Sequence, residues 1–490
     1  MLFNSFQFLV FFLLVTSAYF ALPHKYRWLL LLTASCYFYM AFVPVYILIL
    51  GGTIVIDYFA GILIENSSEK KKKLWLILSL ISNIGVLVVF KYYNFIIENL
   101  THALSSVGLN NHLPYLSILL PIGLSFHTFQ AMSYTIEVYR GNQQAERHFG
   151  IYALYVMFYP QLVAGPIERP QNILHQFHEK KEFDYDRVTD GLKRMLWGFF
   201  KKVVIADRLA FFVGRVYEHP TSYTGIPLII ATVFFAFQVY CDFSGYTDIA
   251  IGAAKVMGID LMKNFDRPYA SGSITEFWRR WHISLSTWFT DYLFTPLAMT
   301  YKSWQKKGII LAVFITFVLS GFWHGAGFTY IAWGALHGIA IGYEIATKKK
   351  RSAISKKLPK QLVSFLSIGI TFSFLCFCDI FFRAKTMHDA FYIVSHLFSN
   401  IHKQIAAILR NHHQERQQLL YIGQKSTVFF IAIFSIIVLE IIQYFHAKNN
   451  LIVVLQKKPL AIRWGVYFCL IASLLLYGVY ENIQFIYFQF

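Results

Sequence analysis

The sequence reads Gly321-Phe322-Trp323-His324-Gly325-Ala326-Gly327 at the point where one apolar run, 308–322, gives way to the next, 328–346. Apolar runs of this kind are typical of helices that cross lipid. A titratable imidazole between two such helices is costly, and ionisable groups inside a membrane are functional candidates by default. The stretch therefore predicts a membrane protein whose chemistry centres on His324.

The overall composition also favours a membrane protein. Of 490 residues, 56% are hydrophobic and 14% are charged, whereas soluble domains carry about 25% charged residues. The net charge of +18 is concentrated in short loops between apolar runs, which is the pattern that sets the orientation of membrane helices. Nucleic acid is therefore not an expected partner, and anionic lipid headgroups are.

The apolar runs predict one all-α, multi-pass membrane domain over 1–490. With the basic loops in the cytoplasm, both termini lie outside. The polar region 383–426 then lies outside as well, and the helical spacing of its apolar residues predicts one or two interfacial helices. A C-terminal helix pair and tail occupy 427–490. The predicted spans are 3–21, 27–42, 44–64, 74–90, 115–137, 199–217, 226–256, 308–322, 328–346, 361–382, 427–446 and 464–480.

Two segments do not fit a simple span. The segment 151–165 is short and contains Pro160, which favours a partly re-entrant segment buried in protein. Residues 273–300 carry too many charges for a span and too many aromatic side chains for a loop. They predict a helix at the cytoplasmic interface, or dipping into the protein, that brings His282 toward the membrane interior.

Several polar residues near these segments are candidates for a site. Arg279 and Arg280 precede His282 and could clamp a phosphate or a carboxylate, although basic residues on the cytoplasmic side also fit the topology rule. Asp242 and Asp248 lie in an apolar run and are expected to pair with one of these arginines or to orient a histidine. The span 115–137 carries a polar stripe that includes Gln130 and His127, and His127 is expected to be a hydrogen-bonded core residue.

Other chemistries find little support in the sequence. It contains no HExxH or CxxC motif, so no metal site is expected. It also lacks a phosphate-binding loop and a dinucleotide-binding glycine motif, so no bound cofactor is expected. The five cysteines show no paired spacing and are expected to be reduced thiols.

Four motifs together resemble the membrane-bound O-acyltransferase family, and within it the bacterial alginate O-acetyltransferase type. They are Gln161–Pro166 (QLVAGP), Tyr240–Asp248 (YCDFSGYTD), Phe277–Pro296 (FWRRWHISLSTWFTDYLFTP) and Gly321–Gly327 (GFWHGAG). Many alginate-type members have an arginine before the aspartate that matches Asp291, and a glycine-rich run after it. Here Thr290 stands in that place and no such run follows, so the acceptor glycan stays open.

The resemblance implies a ring of about 11–12 tilted helices around a central tunnel in the bacterial cytoplasmic membrane. His324 matches the family's invariant histidine, and His282 matches its second catalytic position. The implied reaction moves an acyl group, with acetyl expected, from a cytoplasmic thioester to a hydroxyl of a cell-surface polysaccharide or to an extracytoplasmic acyltransferase. The co-substrate would be acetyl-CoA or an acyl-carrier thioester. The residues expected to support the tunnel or to bind substrate are Arg279, Arg280, Trp278, Trp281, Asp242, Asp248, Trp323 and Gln130.

The C-terminal residues 485–490 (FIYFQF) resemble the ending of the small partner protein in teichoic-acid D-alanylation. That resemblance makes Tyr487 a candidate acyl relay, while an aromatic membrane anchor is the alternative. Two other functions stay open. One is the transfer of D-alanyl or another acyl group from a carrier protein. The other is proton-coupled transport of a glycan or lipid, which buried ionisable groups would also suit.

Overall fold

The computed structural model describes residues 1–117, 121–410, 413–449, 454–455, 457–481 and 485–486. The described residues form helices, turns and loops and no strand, which confirms the predicted all-α class. They group into two compact units. The first comprises Met1–Met195 with Tyr246–Lys263, and the second comprises Leu196–Gly245 with Asn264–Gln489. The predicted single domain over 1–490 stays a prediction.

Seven helices within the described residues are long and apolar enough to cross a membrane. Their outer faces carry large apolar side chains. Leu48 and Leu475, for example, are each 71% exposed, and apolar surface of this kind needs lipid to cover it. The chain is therefore a multi-pass membrane protein, whereas the ring and the tunnel remain predictions. The seven helices are Tyr46–Asn66, Glu69–Ser106, Ile226–Val256, Lys302–His324, Lys360–Arg383, Ser426–Lys448 and Leu460–Tyr477.

The first unit is built from the N-terminal helices and a buried aromatic core. Ser5 caps the first helix by accepting a hydrogen bond from the backbone N–H of Phe8. The predicted re-entrant segment forms two short helices, Phe149–Met157 and Tyr159–Leu162, and is buried throughout. The other helices of this unit are Phe6–Ala21, His24–Met40, Tyr46–Asn66, Glu69–Ser106, Leu124–Tyr139 and Pro170–His178. Two further helices, Tyr185–Phe199 and Ile226–Val256, contribute residues to both units.

The second unit corrects two predictions. The region 383–426 forms three helices instead of one or two: Met387–His396, Ile401–Leu409 and His413–Leu419. Residues 273–300 form a chain of short helices instead of one, with a break at His282. The remaining elements are Phe200–Ala206, Asp207–Glu218, Pro220–Ser222, Pro268–Ala270, Ile274–Arg280, Ile283–Phe289, Thr290–Phe294, Thr295–Thr300, Lys302–Trp304, Gln305–His324, Phe328–Ser355, Lys360–Arg383, Ser426–Asn449 and Leu460–Tyr477.

Candidate active site

His324 is the last residue of the Gln305–His324 helix and is 4% exposed. The next helix, Phe328–Ser355, packs closely against it because Gly321 and Gly325 leave room for Tyr330, which a Cβ at either position would strike. Small residues permit this close approach between membrane helices. The amides of Gly325 and Gly327 already donate to the carbonyl oxygens of Gly321 and Gly325. These two amides are therefore engaged within the turn that follows His324.

A small cavity of about 20 Å³ adjoins His324 within the second unit. Such a volume holds about one water-sized group. Two histidines and one carboxylate are among the lining side chains, and most of the others are aromatic, so the cavity combines an apolar wall with a few polar groups. Its lining consists of Val239, Tyr269, Phe277, Trp281, His324, Trp333, His337, Leu375, Asp379 and Phe382.

The cavity contains a second histidine, His337, which is 1% exposed. The indole N–H of Trp278 donates to Nδ1 of His337 over 3.2 Å. An indole nitrogen can only donate, so Nδ1 carries the lone pair and the neutral ring carries its proton on Nε2. The ring of Trp333 lies between the two histidines, with centroids 5.1 Å from His324 and 4.9 Å from His337.

The short helix Ile274–Arg280 holds Trp278 in place. The carboxylate of Glu344, on the Phe328–Ser355 helix, accepts the backbone N–H groups of Ile274 and Thr275 at 2.8 and 3.0 Å. These are amides of the first turn, which have no partner within a helix. Ser273 caps the same helix by accepting from the N–H of Glu276. The indole of Trp278 is therefore oriented by the anchored start of its helix.

His282 is fully buried between two of the short helices and has a left-handed backbone, with φ 42° and ψ 54°. Such a conformation costs about 1–3 kcal/mol and persists only where the surroundings impose it. The side-chain oxygen of Asn264 faces Nδ1 of His282 at 3.1 Å and accepts the backbone N–H of Ser284 at 3.1 Å. Because that amide can only donate, the facing atom is an oxygen, and His282 carries its proton on Nδ1.

Aromatic contacts connect the ring of His282 to a residue that lines the cavity. The ring of His282 stacks on Phe265 with centroids 6.4 Å apart, and Phe265 packs edge-on against Trp281, which lines the cavity. Burial lowers the pKa of His282 to about 3. The imidazole is therefore neutral at physiological pH, with its lone pair on Nε2.

Asp242 forms a structural ion pair, but its partner is neither of the arginines Arg279 and Arg280. Asp242 binds Nζ of Lys202 at 2.7 Å, and its other oxygen accepts the backbone N–H of Ile486 at 2.8 Å. Arg279 is exposed, and Arg280 pairs with Glu276 at 2.5 Å. Asp242 thus fastens the C-terminal tail, and the relay candidate Tyr487 lies outside the described residues.

None of the remaining candidates belongs to the cavity lining. Asp248 pairs with Arg194 at 2.9 Å in the first unit. Gln130 donates to the backbone oxygen of Tyr155 in a buried, structural contact of the same unit. His127 is a buried core residue, 2% exposed, as predicted, and its hydrogen bonding stays a prediction. Trp323 is buried in the second unit and packs on His324 at 4.9 Å.

Of the ten residues that line the cavity, sequence reasoning proposed only Trp281 and His324 as site residues. It missed, among others, Trp333, His337 and Asp379. Asp379 is an acidic residue inside the apolar Lys360–Arg383 helix, and an intramembrane charge is itself a functional signal. Trp333 and His337 are four residues apart and therefore share one face of their helix. Both signals could have been read from the sequence. Within the described residues, no group of three or more potential ligands could hold a metal ion.

The family of the chain follows from comparisons with known proteins. The chain is 38% identical over 408 residues to the protein named "Probable alginate O-acetylase AlgI" of Pseudomonas aeruginosa, covering 81% of this chain and 75% of that one. It is 36% identical to a peptidoglycan O-acetyltransferase of Helicobacter pylori (74% and 72% covered). It is 30% identical to a teichoic acid D-alanyltransferase of Bacillus subtilis (56% and 72% covered). Residues 147–357, which contain His282, His324 and His337, match the profile of the membrane-bound O-acyltransferase family. The chain belongs to that family and is an O-acyltransferase.

Proposed function

We propose that the protein transfers an acetyl group from cytoplasmic acetyl-CoA to a hydroxyl of a cell-surface polysaccharide, or to an extracytoplasmic acyltransferase that serves one. The reaction takes place in the bacterial cytoplasmic membrane, at the meeting point of a tunnel through a ring of helices. The observation that carries the proposal is the buried His324 beside a cavity of about 20 Å³. So small a space suits the carbonyl end of a short acyl group.

The chemistry follows from the histidine and its dry surroundings. His324 accepts the proton of the acceptor hydroxyl as the oxygen attacks the thioester carbonyl. The aromatic wall excludes water, which would otherwise hydrolyse the thioester. His282, with its lone pair on Nε2, can accept a hydrogen bond from the donor and so orient it. The same tautomer makes it unsuited to stabilising an oxyanion, because a neutral Nε2 has no proton to donate.

Asp379 favours D-alanyl as a second candidate group. D-Alanyl carries an ammonium next to its carbonyl, whereas acetyl carries no charge. A carboxylate in the cavity that holds the carbonyl could pair with that ammonium. In this case the donor would be a carrier-protein thioester.

One assay separates the candidates. Purified protein in lipid vesicles is given labelled acetyl-CoA or a labelled D-alanyl carrier thioester, together with an acceptor glycan. We expect acetyl transfer by the wild type and by Asp379→Asn, and none by His324→Ala. Transfer of D-alanyl alone, lost in Asp379→Asn, would overturn the acetyl proposal. Glycan export that stops in His324→Ala in cells would instead indicate a transporter.

The tail supplies a further part of the proposal. Asp242 holds the N–H of Ile486, one residue before Tyr487, and Phe485 packs on Phe243 with centroids 5.9 Å apart. We propose that the hydroxyl of Tyr487, the next residue in the chain, is an acyl relay to an extracytoplasmic partner. The variant Tyr487→Phe keeps an aromatic anchor and removes the hydroxyl. Unchanged acylation of the surface glycan in this variant would contradict the relay.

A further inference from the structure

The cavity contains an indole donor that lacks an acceptor among the described residues. Trp333 is 5% exposed and lines the cavity, and its Nε1–H has no hydrogen-bond partner within the part of the chain that the structure describes. A buried donor left without an acceptor costs about 1–3 kcal/mol. Native proteins tolerate such a cost mainly at sites where a ligand or a water supplies the acceptor.

The second donor of the cavity is His337. Since Trp278 donates to Nδ1 over 3.2 Å, the neutral ring carries its only proton on Nε2. Protonation of Nδ1 would break the bond from Trp278, so this contact opposes the use of His337 as a base. His337 and Trp333 line one cavity with His324. The ring centroid of Trp333 lies 4.9 Å from that of His337 and 5.1 Å from that of His324.

Acyl transfer needs donors that meet the charge on the carbonyl oxygen. The amides of Gly325 and Gly327 already bond to carbonyl oxygens, and the tautomer of His282 offers no Nε2 proton. We infer that Trp333 Nε1–H and His337 Nε2–H form the oxyanion site of the acyl transfer, with Trp278 fixing the tautomer of His337. This inference rests on the proposed acyl transfer but holds for either acyl group.

The step balances as an ordinary ester formation. The acceptor hydroxyl loses its proton to His324, and its oxygen bonds to the thioester carbonyl carbon. The carbonyl π pair moves to the oxygen, which accepts hydrogen bonds from Trp333 and His337. When that oxyanion collapses, the C–S bond breaks and the leaving thiolate takes the proton from His324. The products are the ester and the free thiol.

The kinetic test removes each donor while keeping the shape of the site. Trp333→Phe loses the N–H and keeps a ring, and we expect kcat to fall by about 10²-fold with little change in KM, because the donors act in the transition state. His337→Gln keeps an N–H near the position of Nε2 and should retain much of the activity that His337→Leu loses. Trp464→Phe is the matched control, since Trp464 is 53% exposed on the Leu460–Tyr477 helix.

A spectroscopic test needs no turnover. An isotope-labelled acetyl thioester is bound to His324→Gln, and its carbonyl stretch is recorded by infrared difference spectroscopy. We expect a shift to lower frequency that is lost on adding Trp333→Phe. The oxyanion site would be overturned by a kcat for Trp333→Phe equal to that of the wild type. It would also be overturned by a carbonyl frequency that is the same with and without Trp333→Phe. If the wild type used only D-alanyl thioester, the acetyl proposal would fail. The same variants, assayed with D-alanyl thioester, would still test whether Trp333 and His337 donate hydrogen bonds to the oxyanion.

Discussion

The molecule contains two buried polar groups of contrasting character. In the first unit, Asp57 accepts hydrogen bonds from Ser79 at 2.6 Å and from Asn83 at 2.8 and 3.0 Å. Its helices are apolar spans, and the three side chains are fully buried. In the second unit, His324, His337 and Asp379 surround a cavity beside an indole donor that lacks an acceptor among the described residues.

The contrast shows how buried polar residues with a structural role can be distinguished from those with a catalytic role inside a membrane protein. In the Asp57 cluster the carboxylate accepts hydrogen bonds from Ser79 and Asn83, and Ser79 also contacts Thr135 at 3.1 Å, so the cluster links three helices. The cavity beside His324, in contrast, contains space and the indole N–H of Trp333, which lacks an acceptor among the described residues. An intramembrane ionisable residue is therefore a functional candidate only where its surroundings leave hydrogen-bonding capacity unused.

The largest expected effect is the loss of kcat when His324, which lines the cavity, is replaced. His324→Gln removes the base and keeps a polar side chain of similar size, so we expect kcat to fall by about 10²–10⁴-fold. The melting temperature should stay close to that of the wild type. Leu319→Ala is the control, because Leu319 lies on the same helix and is 43% exposed. Activity near the wild-type rate in His324→Gln would place the chemistry elsewhere.

The Asp57 cluster should respond in the opposite way. Asp57→Ala removes the carboxylate that accepts from Ser79 and Asn83, although Ser79 can still donate to Thr135 and Asn83 to the backbone oxygen of Ser79. The loss of the stronger bonds should therefore cost about 1–3 kcal/mol in total. We expect a lower melting temperature in detergent but a kcat per folded molecule close to that of the wild type. Ile56→Ala, on the same helix at a position 44% exposed, is the control. Loss of kcat with unchanged stability would make Asp57 part of the chemistry.

Between these extremes lies Asn264, which acts through His282. Asn264→Ala removes the acceptor that fixes the proton of His282 on Nδ1. A loss of about 1.4 kcal/mol in transition-state stabilisation would lower kcat about tenfold. Asn264→Asp keeps the acceptor and should retain more activity than Asn264→Ala. If both variants lower kcat equally, the tautomer of His282 is not what the reaction needs.

The two groups also show what the sequence could reveal. Among the described residues, seven of the twelve predicted spans correspond to helices long and apolar enough to cross a membrane, whereas the predicted span 115–137 is a 16-residue helix that begins at Leu124. Those seven spans, the break after His324 and the two motif histidines followed from apolar runs and from a family resemblance. The ion-pair partners of the buried acidic residues could not be predicted from the sequence, because they depend on which helices become neighbours in the fold. Asp242 binds Lys202 and the tail, 40 and 244 residues away in sequence, whereas the arginines 37 and 38 residues away are directed elsewhere. The chain of short helices around His282 also depends on tertiary contacts, since a left-handed histidine is imposed by its surroundings.

The smallest effect is expected at the edge of the Asp57 cluster. Ser79 lies 2.6 Å from Asp57 and 3.1 Å from the hydroxyl of Thr135, but it has a single hydrogen to donate. The shorter contact to a carboxylate is the stronger one, so the bond to Asp57 survives the change Thr135→Val. The hydroxyl of Thr135 also contacts the carbonyl oxygen of Met132 at 3.2 Å, a long hydrogen bond. We therefore expect a loss of at most about 1 kcal/mol in the free energy of unfolding, measured beside Asp57→Ala in the same detergent. Equal losses in the two variants would mean that the hydroxyl network, and not the carboxylate, holds these three helices together.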